Sequence, residues 1–110
     1  MSDLINKKCT PCSGNTPKLS KKEIETIILK IDNWKINDNY EMIFKKFSFK
    51  NFKDAITFAN VVGDLSEKEG HHPDISLGWG YCLIMIHTHA IKGLSDNDFI
   101  LASKIDKILN

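Results

Sequence analysis

Arginine is absent: all 15 basic residues of the 110 are lysines, against 14 acidic residues, for a formal net charge of +1. The side chain that forks best onto guanine edges and phosphates is therefore missing, which argues against nucleic-acid recognition. Long apolar runs are missing as well. None approaches the roughly 20 residues of a membrane span. The opening Met1-Ser2-Asp3-Leu4-Ile5-Asn6-Lys7-Lys8 lacks the apolar centre of a secretory signal. The expectation is a cytoplasmic protein without membrane contact. Cysteine is scarce, at Cys9, Cys12 and Cys82. Cys9-Thr-Pro-Cys12 could supply half a zinc site, but no second cysteine pair exists to complete it, so the pair reads as two reduced thiols.

What is present fits one ordinary domain: 42% apolar and 26% charged residues, near globular averages and far from a disordered or fibrous composition. Residues 1–18 carry no apolar period and read as a flexible N-terminal arm, leaving residues 19–110 as the folded domain. Ser20 and Glu23 have capping-box spacing, with Leu19 and Ile24 as a hydrophobic staple. Ile24, Ile27, Ile28 and Ile31 then recur at helical spacing, and the helix should end near Asp32-Asn33. Trp34–Ile36, the turn at Asn37-Asp38-Asn39 and Tyr40–Phe49 read as a hairpin. Both of its faces carry apolar side chains, which suggests cover from helices on one side and from a partner subunit on the other.

Asn51 can cap a second helix whose apolar stripe is read as Phe52, Ala55, Ile56, Ala59, Val62 and Leu65, with Gly70 ending it. At about 100° per residue Glu67 falls roughly 20° from Ile56 around the axis, so its carboxylate is expected on the core side. Ile75–Leu77, Gly78-Trp79-Gly80 and Tyr81–Thr88 make a second hairpin. On its last strand Leu83, Met85, His87 and His89 should share one face. Ser95 and Asp98 repeat the capping-box spacing, Leu94 and Phe99 the staple, and Leu101, Ala102, Ile105 and Ile108 the stripe of a final helix. The order α-β-β-α-β-β-α predicts an α+β fold: a four-stranded antiparallel sheet with three helices on one face.

All four histidines, His71, His72, His87 and His89, lie between Glu67 and Asp98. Three readings compete. A metal site would pair His87 and His89 with a third ligand from His71 or His72 and a carboxylate. A structural reading makes each histidine an ordinary polar residue at an element end, and makes Asp98 a helix cap. The third reading is metal-free general acid and base catalysis, because imidazoles with an unperturbed pKa near 6.5 can donate and accept protons at neutral pH. Burying so many ionisable groups together without use would be costly, which weighs against the structural reading.

Glu67-Lys68-x-x-His71-His72-Pro73, Thr88-His89, Gly93-Leu94-Ser95-x-x-Asp98 and Ala102-Ser103-x-Ile105 closely resemble the pterin-4a-carbinolamine dehydratase family, known in animals also as the dimerisation cofactor of a homeodomain transcription factor. The resemblance runs from Trp34, through Phe44-Lys45-x-Phe47-x-Phe49 and Phe52, to the C-terminus. It implies a dehydratase that removes water from 4a-hydroxytetrahydrobiopterin to give quinonoid dihydropterin in cofactor recycling, with no metal and no cofactor of its own. It further implies His71 and His89 as the acid/base pair, His72 as an assisting or substrate-binding histidine, Glu67 as an orienting carboxylate and Asp98 as the support of His89. Trp34 matches a tryptophan at the pocket edge, where it could pack on the pterin, although a core anchor is an equal reading. His87 stands where relatives often place a small hydroxyl, and Gly70 where they carry an acidic residue. A homodimer or homotetramer is implied. The runner-up is a non-catalytic dimerisation or stabilising partner of a transcription factor or hydroxylase.

Overall fold

Local chemistry places most element boundaries. The Ser20 side chain accepts from the Glu23 N–H at 3.2 Å while the Glu23 carboxylate accepts from the Ser20 N–H at 2.8 Å, so the predicted capping box opens the first helix. Asn51 caps the second helix through the Asp54 N–H at 2.8 Å. Gly70 closes it in the left-handed region, at φ 68°, where a side chain would be strained. A computed structural model of the chain describes residues 4–11 and 13–109. Its elements are α1 (Lys21–Ile27), β1 (Lys35–Ile36), β2 (Ile43–Ser48), α2 (Phe52–Glu69), β3 (Asp74–Gly78), β4 (Tyr81–Ile86) and α3 (Asp96–Ile108). Short 3₁₀ turns lie at Leu4–Asn6, Ile28–Lys30 and His89–Ile91. The first helix therefore tightens into a 3₁₀ turn and ends slightly earlier than its isoleucine spacing suggests.

The four strands form one antiparallel sheet in the order β1-β2-β4-β3, as expected from two hairpins. The register sets Ile43 opposite Ile86 and Phe47 opposite Cys82. Those residues and Ile84 are buried against Phe58, Val62, Phe99, Leu101 and Ile105 of the helices. The opposite sheet face carries Phe44, Leu83 and Met85, all half-buried. No helix of the described residues is long and apolar enough to cross a membrane.

Two sequence expectations need correction here. The buried stripe of α2 is Ala55, Phe58, Val62 and Ser66, spaced three, four and four residues apart, whereas Phe52 and Ile56 lie exposed at 45% and 37%. Taking Ile56 as a core marker rotated the helix wheel. Glu67, one residue past buried Ser66, swings about 100° away from the core, and its side chain is 77% exposed. Second, β4 stops at Ile86, and His89 belongs to the following 3₁₀ turn rather than to the strand. An isolated bridge between Thr88 and Gly93, with Lys92 in the left-handed region at φ 50°, folds the chain back there.

Within the stretch read as a flexible arm, Leu4 is buried in the core. The Cys9 N–H donates to Glu69 Oε1 at 3.1 Å, and the Thr10 N–H donates to the Asn97 side-chain oxygen at 3.0 Å. Lys104 Nζ donates to the second Glu69 oxygen at 2.8 Å. Cys12, and with it the question of a Cys9–Cys12 pair, lies outside the described residues. The Cys9 thiol is pushed up to about 12 by burial and by the adjacent Glu69 charge, so at neutral pH it stays protonated, unlike a ligating thiolate.

Burial alone would raise the Glu69 carboxyl, but the Lys104 ammonium and the Cys9 N–H outweigh it and leave it below the usual 4.5. A depressed carboxyl contributes stability that is fully present above 4.5 and is lost as pH falls through the lower folded-state value. The Cys9 amide should therefore be protected from hydrogen exchange at neutral pH and lose that protection as pH falls below the ordinary carboxyl range, while the sheet stays protected. In Glu69→Gln the Cys9 amide should be weakly protected throughout. An acid-insensitive Cys9 amide in the wild-type chain would contradict this clamp.

Candidate active site

The left-handed turn at Gly70 ends α2 so that the N–H groups of Gly70 and His71 both donate to the Ser66 carbonyl, at 2.9 and 3.3 Å. Pro73 then holds the chain extended into β3, and extended backbone sends successive side chains to opposite sides. The two histidines diverge accordingly. His71 turns inward with its side chain 8% exposed, and His72 turns outward at 60%.

His71 meets Asp98, which is fully buried, with Nε2 2.6 Å from Oδ1. The other Asp98 oxygen accepts from the Ser95 N–H and from the Thr88 hydroxyl, both at 2.8 Å. Thr88 spends its one proton on Asp98, so the Ser95 hydroxyl donates in the 2.8 Å contact between Ser95 Oγ and Thr88 Oγ1. An ionised carboxylate only accepts, so the Nε2 of His71 carries a hydrogen and the ring is locked in place. Asp98 is thus both the reach-back arm of the α3 start and the anchor of His71. The expectation that it supports His89 is corrected: the start of α3 is packed under the end of α2, which brings its carboxylate to His71.

Outside, Glu67 pairs with the Nε2 of His72, from solvent rather than from the core. His87 Nε2 lies 3.3 Å from Asp74 Oδ2, and the His87 and His89 rings pack at a tilt of 56° with centroids 4.0 Å apart. All four histidines, with Pro73, Asp74 and Thr88, line one hollow of about 360 Å³. That volume is in the range of small-molecule sites, roughly 300–1,000 Å³. A somewhat larger depression of about 420 Å³ beside α1 is lined by Lys22, Glu23, Thr26 and Lys30 among others, and holds no imidazole. The side chains suited to acid/base chemistry near neutral pH are thus gathered in the smaller hollow.

Trp34 is not part of that hollow, and the pocket-edge expectation gives way to the core reading. Its indole is buried, packs edge-on against Phe47 at 6.2 Å, and donates to both Asp106 oxygens at 3.0 and 3.1 Å. Lys45 joins the same carboxylate at 2.9 Å. Sequence reasoning passed over Asp74. The signal was available only through strand pairing, since the register sets Asp74 opposite Met85, two residues before His87 on the same face.

A small antiparallel α+β sandwich thus gathers imidazoles and carboxylates at one end of its sheet. The sequence profile described as "Pterin 4 alpha carbinolamine dehydratase" matches residues 17–108, and the chain belongs to that family. It is 50% identical over 109 residues, 97% of this chain and 96% of the relative, to a protein of Alkaliphilus metalliredigens named "Putative pterin-4-alpha-carbinolamine dehydratase". A protein of the same name from Methylococcus capsulatus is 46% identical over 105 residues, 96% of this chain and 92% of the relative. Among solved structures, a "transcriptional coactivator/pterin dehydratase" from Brucella melitensis is similar with a TM-score of 0.80 at 26% identity, over 86% of this chain and all of that one (100%). A pterin dehydratase-like protein described as a RuBisCO assembly factor of the alpha-carboxysome is similar with a TM-score of 0.59 at 25% identity, over 69% of this chain and 88% of that one.

Proposed function

We propose that this protein is a dehydratase of 4a-hydroxytetrahydropterins, working in the cytoplasm to return the cofactor of aromatic hydroxylation toward its usable form. The observation that carries the reading is the convergence of His71 and His89 on one hollow, with His71 held by a buried carboxylate. The chemistry needs such a pair. The bond from C4a to the hydroxyl oxygen breaks, and hydroxide is a poor leaving group because water has a pKa of about 15.7. One imidazole protonates that oxygen as it leaves. The neighbouring ring nitrogen pushes its lone pair in to form the carbon–nitrogen double bond, and the second imidazole takes that nitrogen's proton. Water and quinonoid dihydropterin result, with no change of oxidation state, so neither metal nor redox cofactor is needed for the step.

In this reading His71 and His89 are the acid/base pair, His72 assists from the rim under the orientation of Glu67, His87 contacts the substrate, and Asp98 positions His71. The half-buried Phe44, Leu83 and Met85 on the open sheet face support a homodimer or homotetramer, in which a second copy covers them. The test is conversion of 4a-hydroxytetrahydropterin to quinonoid dihydropterin by the purified protein, followed by absorbance with the spontaneous rate subtracted. A rate that rises in proportion to protein is expected. The names of the two structural relatives favour a second reading, a non-catalytic partner protein. A preparation with no rate above background that binds a macromolecular partner tightly would establish it in place of the first.

A further inference from the structure

We propose that Asp74, His87 and His89 form a binding site for one divalent transition-metal ion of the zinc type. Their ligand atoms, one carboxylate oxygen and two imidazole nitrogens, all lie within 4.8 Å of one another. This donor set suits zinc and its neighbours, and three protein ligands leave the fourth position open. The best-placed edge is already formed. Asp74 Oδ2 and His87 Nε2 stand 3.3 Å apart, long for a hydrogen bond of this kind. It matches the roughly 3.3 Å between ligand atoms of a tetrahedron with metal bonds of about 2.0–2.1 Å. His89 completes the set by closing at most about 1.5 Å, since ligand atoms at up to 4.8 Å must come to about 3.3 Å. It has room to do so, being exposed on a turn, with its ring packed at a tilt against His87 and making no hydrogen bond to any of the described residues.

Fold and sequence both contribute to this placement. The β3–β4 register brings Asp74 beside His87, and the turn after β4 returns His89 over His87. His71 and His72 are not available as ligands through their Nε2 atoms, because Asp98 and Glu67 already hold them. All three ligand residues line the same hollow as His71. A bound ion would take the lone pair of His89 that proton transfer needs. Resting on the dehydratase reading above, the ion therefore acts as an inhibitor rather than a participant.

Chelator-stripped full-length protein titrated with Co²⁺ should bind one equivalent, with the intense visible absorption of a low-coordinate nitrogen–oxygen site, and Zn²⁺ should displace it. Asp74→Ala and His87→Ala should each weaken Co²⁺ binding at least about tenfold, since even indirect partners of a metal ligand are worth that much. His72→Gln should bind Co²⁺ as the wild type does, with unchanged circular dichroism for all three variants. No saturable Co²⁺ binding below millimolar concentration would overturn the site, as would Asp74→Ala and His87→Ala that bind normally. These readouts stand whether or not the protein dehydrates a pterin. With an active preparation, one equivalent of Zn²⁺ should suppress the rate, a chelator should restore it, and Asp74→Ala should resist the suppression.

Discussion

Alanine in place of His71 is expected to slow enzyme-driven dehydration by about 10²–10⁴-fold, and alanine in place of His89 by a similar factor, because in the proposed mechanism each removes one partner of a concerted proton exchange. The two substitutions should leave different structural traces. His71 is buried against Asp98, so His71→Ala also strips an internal carboxylate of one donor and should lower stability measurably. His89 is exposed, so His89→Ala should leave the melting temperature almost unmoved while the rate collapses. That contrast separates a proton-transfer role from a general loss of structure. The double variant should fall only to the uncatalysed background, because groups acting as a unit are not additive. The spontaneous reaction must be subtracted throughout. Both single variants within about threefold of wild type would contradict the acid/base assignment, since the smallest ordinary effect of such a group is about a hundredfold.

Asp98→Ala is expected to be the most damaging single change to the fold outside the apolar core. The carboxylate is fully buried and accepts from the His71 ring, the Thr88 hydroxyl and the Ser95 N–H. Its removal strands three donors away from water. Removing one partner of a buried charged network typically costs about 3–5 kcal/mol, and for a domain near this size each kcal/mol lowers the melting temperature by about 4–8 °C. Thermal or urea unfolding checks this, and a loss under about 1 kcal/mol would show that water or a rearranged side chain replaces the carboxylate. Asp98→Asn keeps the shape but offers an amide in place of one acceptor oxygen. It should fold, lose activity, and change the His71 tautomer seen in imidazole ¹⁵N shifts, which a purely structural cap would leave alone.

What could be read in advance follows from the range of each interaction. The capping box at Ser20 and Glu23, the Asn51 cap and the Gly70 stop act within a few residues, so a linear sequence displays them. The two hairpins and their polar turns are similarly local, and they suffice for the sheet. The errors lie where a distant partner decides. Trp34 is a core residue because Asp106, 72 positions away, accepts its indole N–H. Asp98 serves His71 because α3 docks beneath the end of α2, a relation with no counterpart in residue spacing. Glu67 was misplaced by a different route. Ile56 is apolar but exposed, and a helix wheel anchored on it points the wrong way.

The histidine hollow shows both sides of this rule. The crowding of four imidazoles into one short segment was visible, and so was the splaying of His71 and His72 by Pro73. Asp74 was not, since its proximity to His87 depends on how β3 pairs with β4. The same pairing brings the separate sequence motifs to one cavity.

A crystal structure of the protein with a dihydropterin bound tests this account most directly. The account predicts the ring in the hollow between Pro73 and Thr88, with the edge bearing C4a and its neighbouring nitrogen within hydrogen-bond reach of both His71 and His89. A pterin seated elsewhere, such as the depression beside α1, or one that only a single one of those imidazoles can reach, would contradict it.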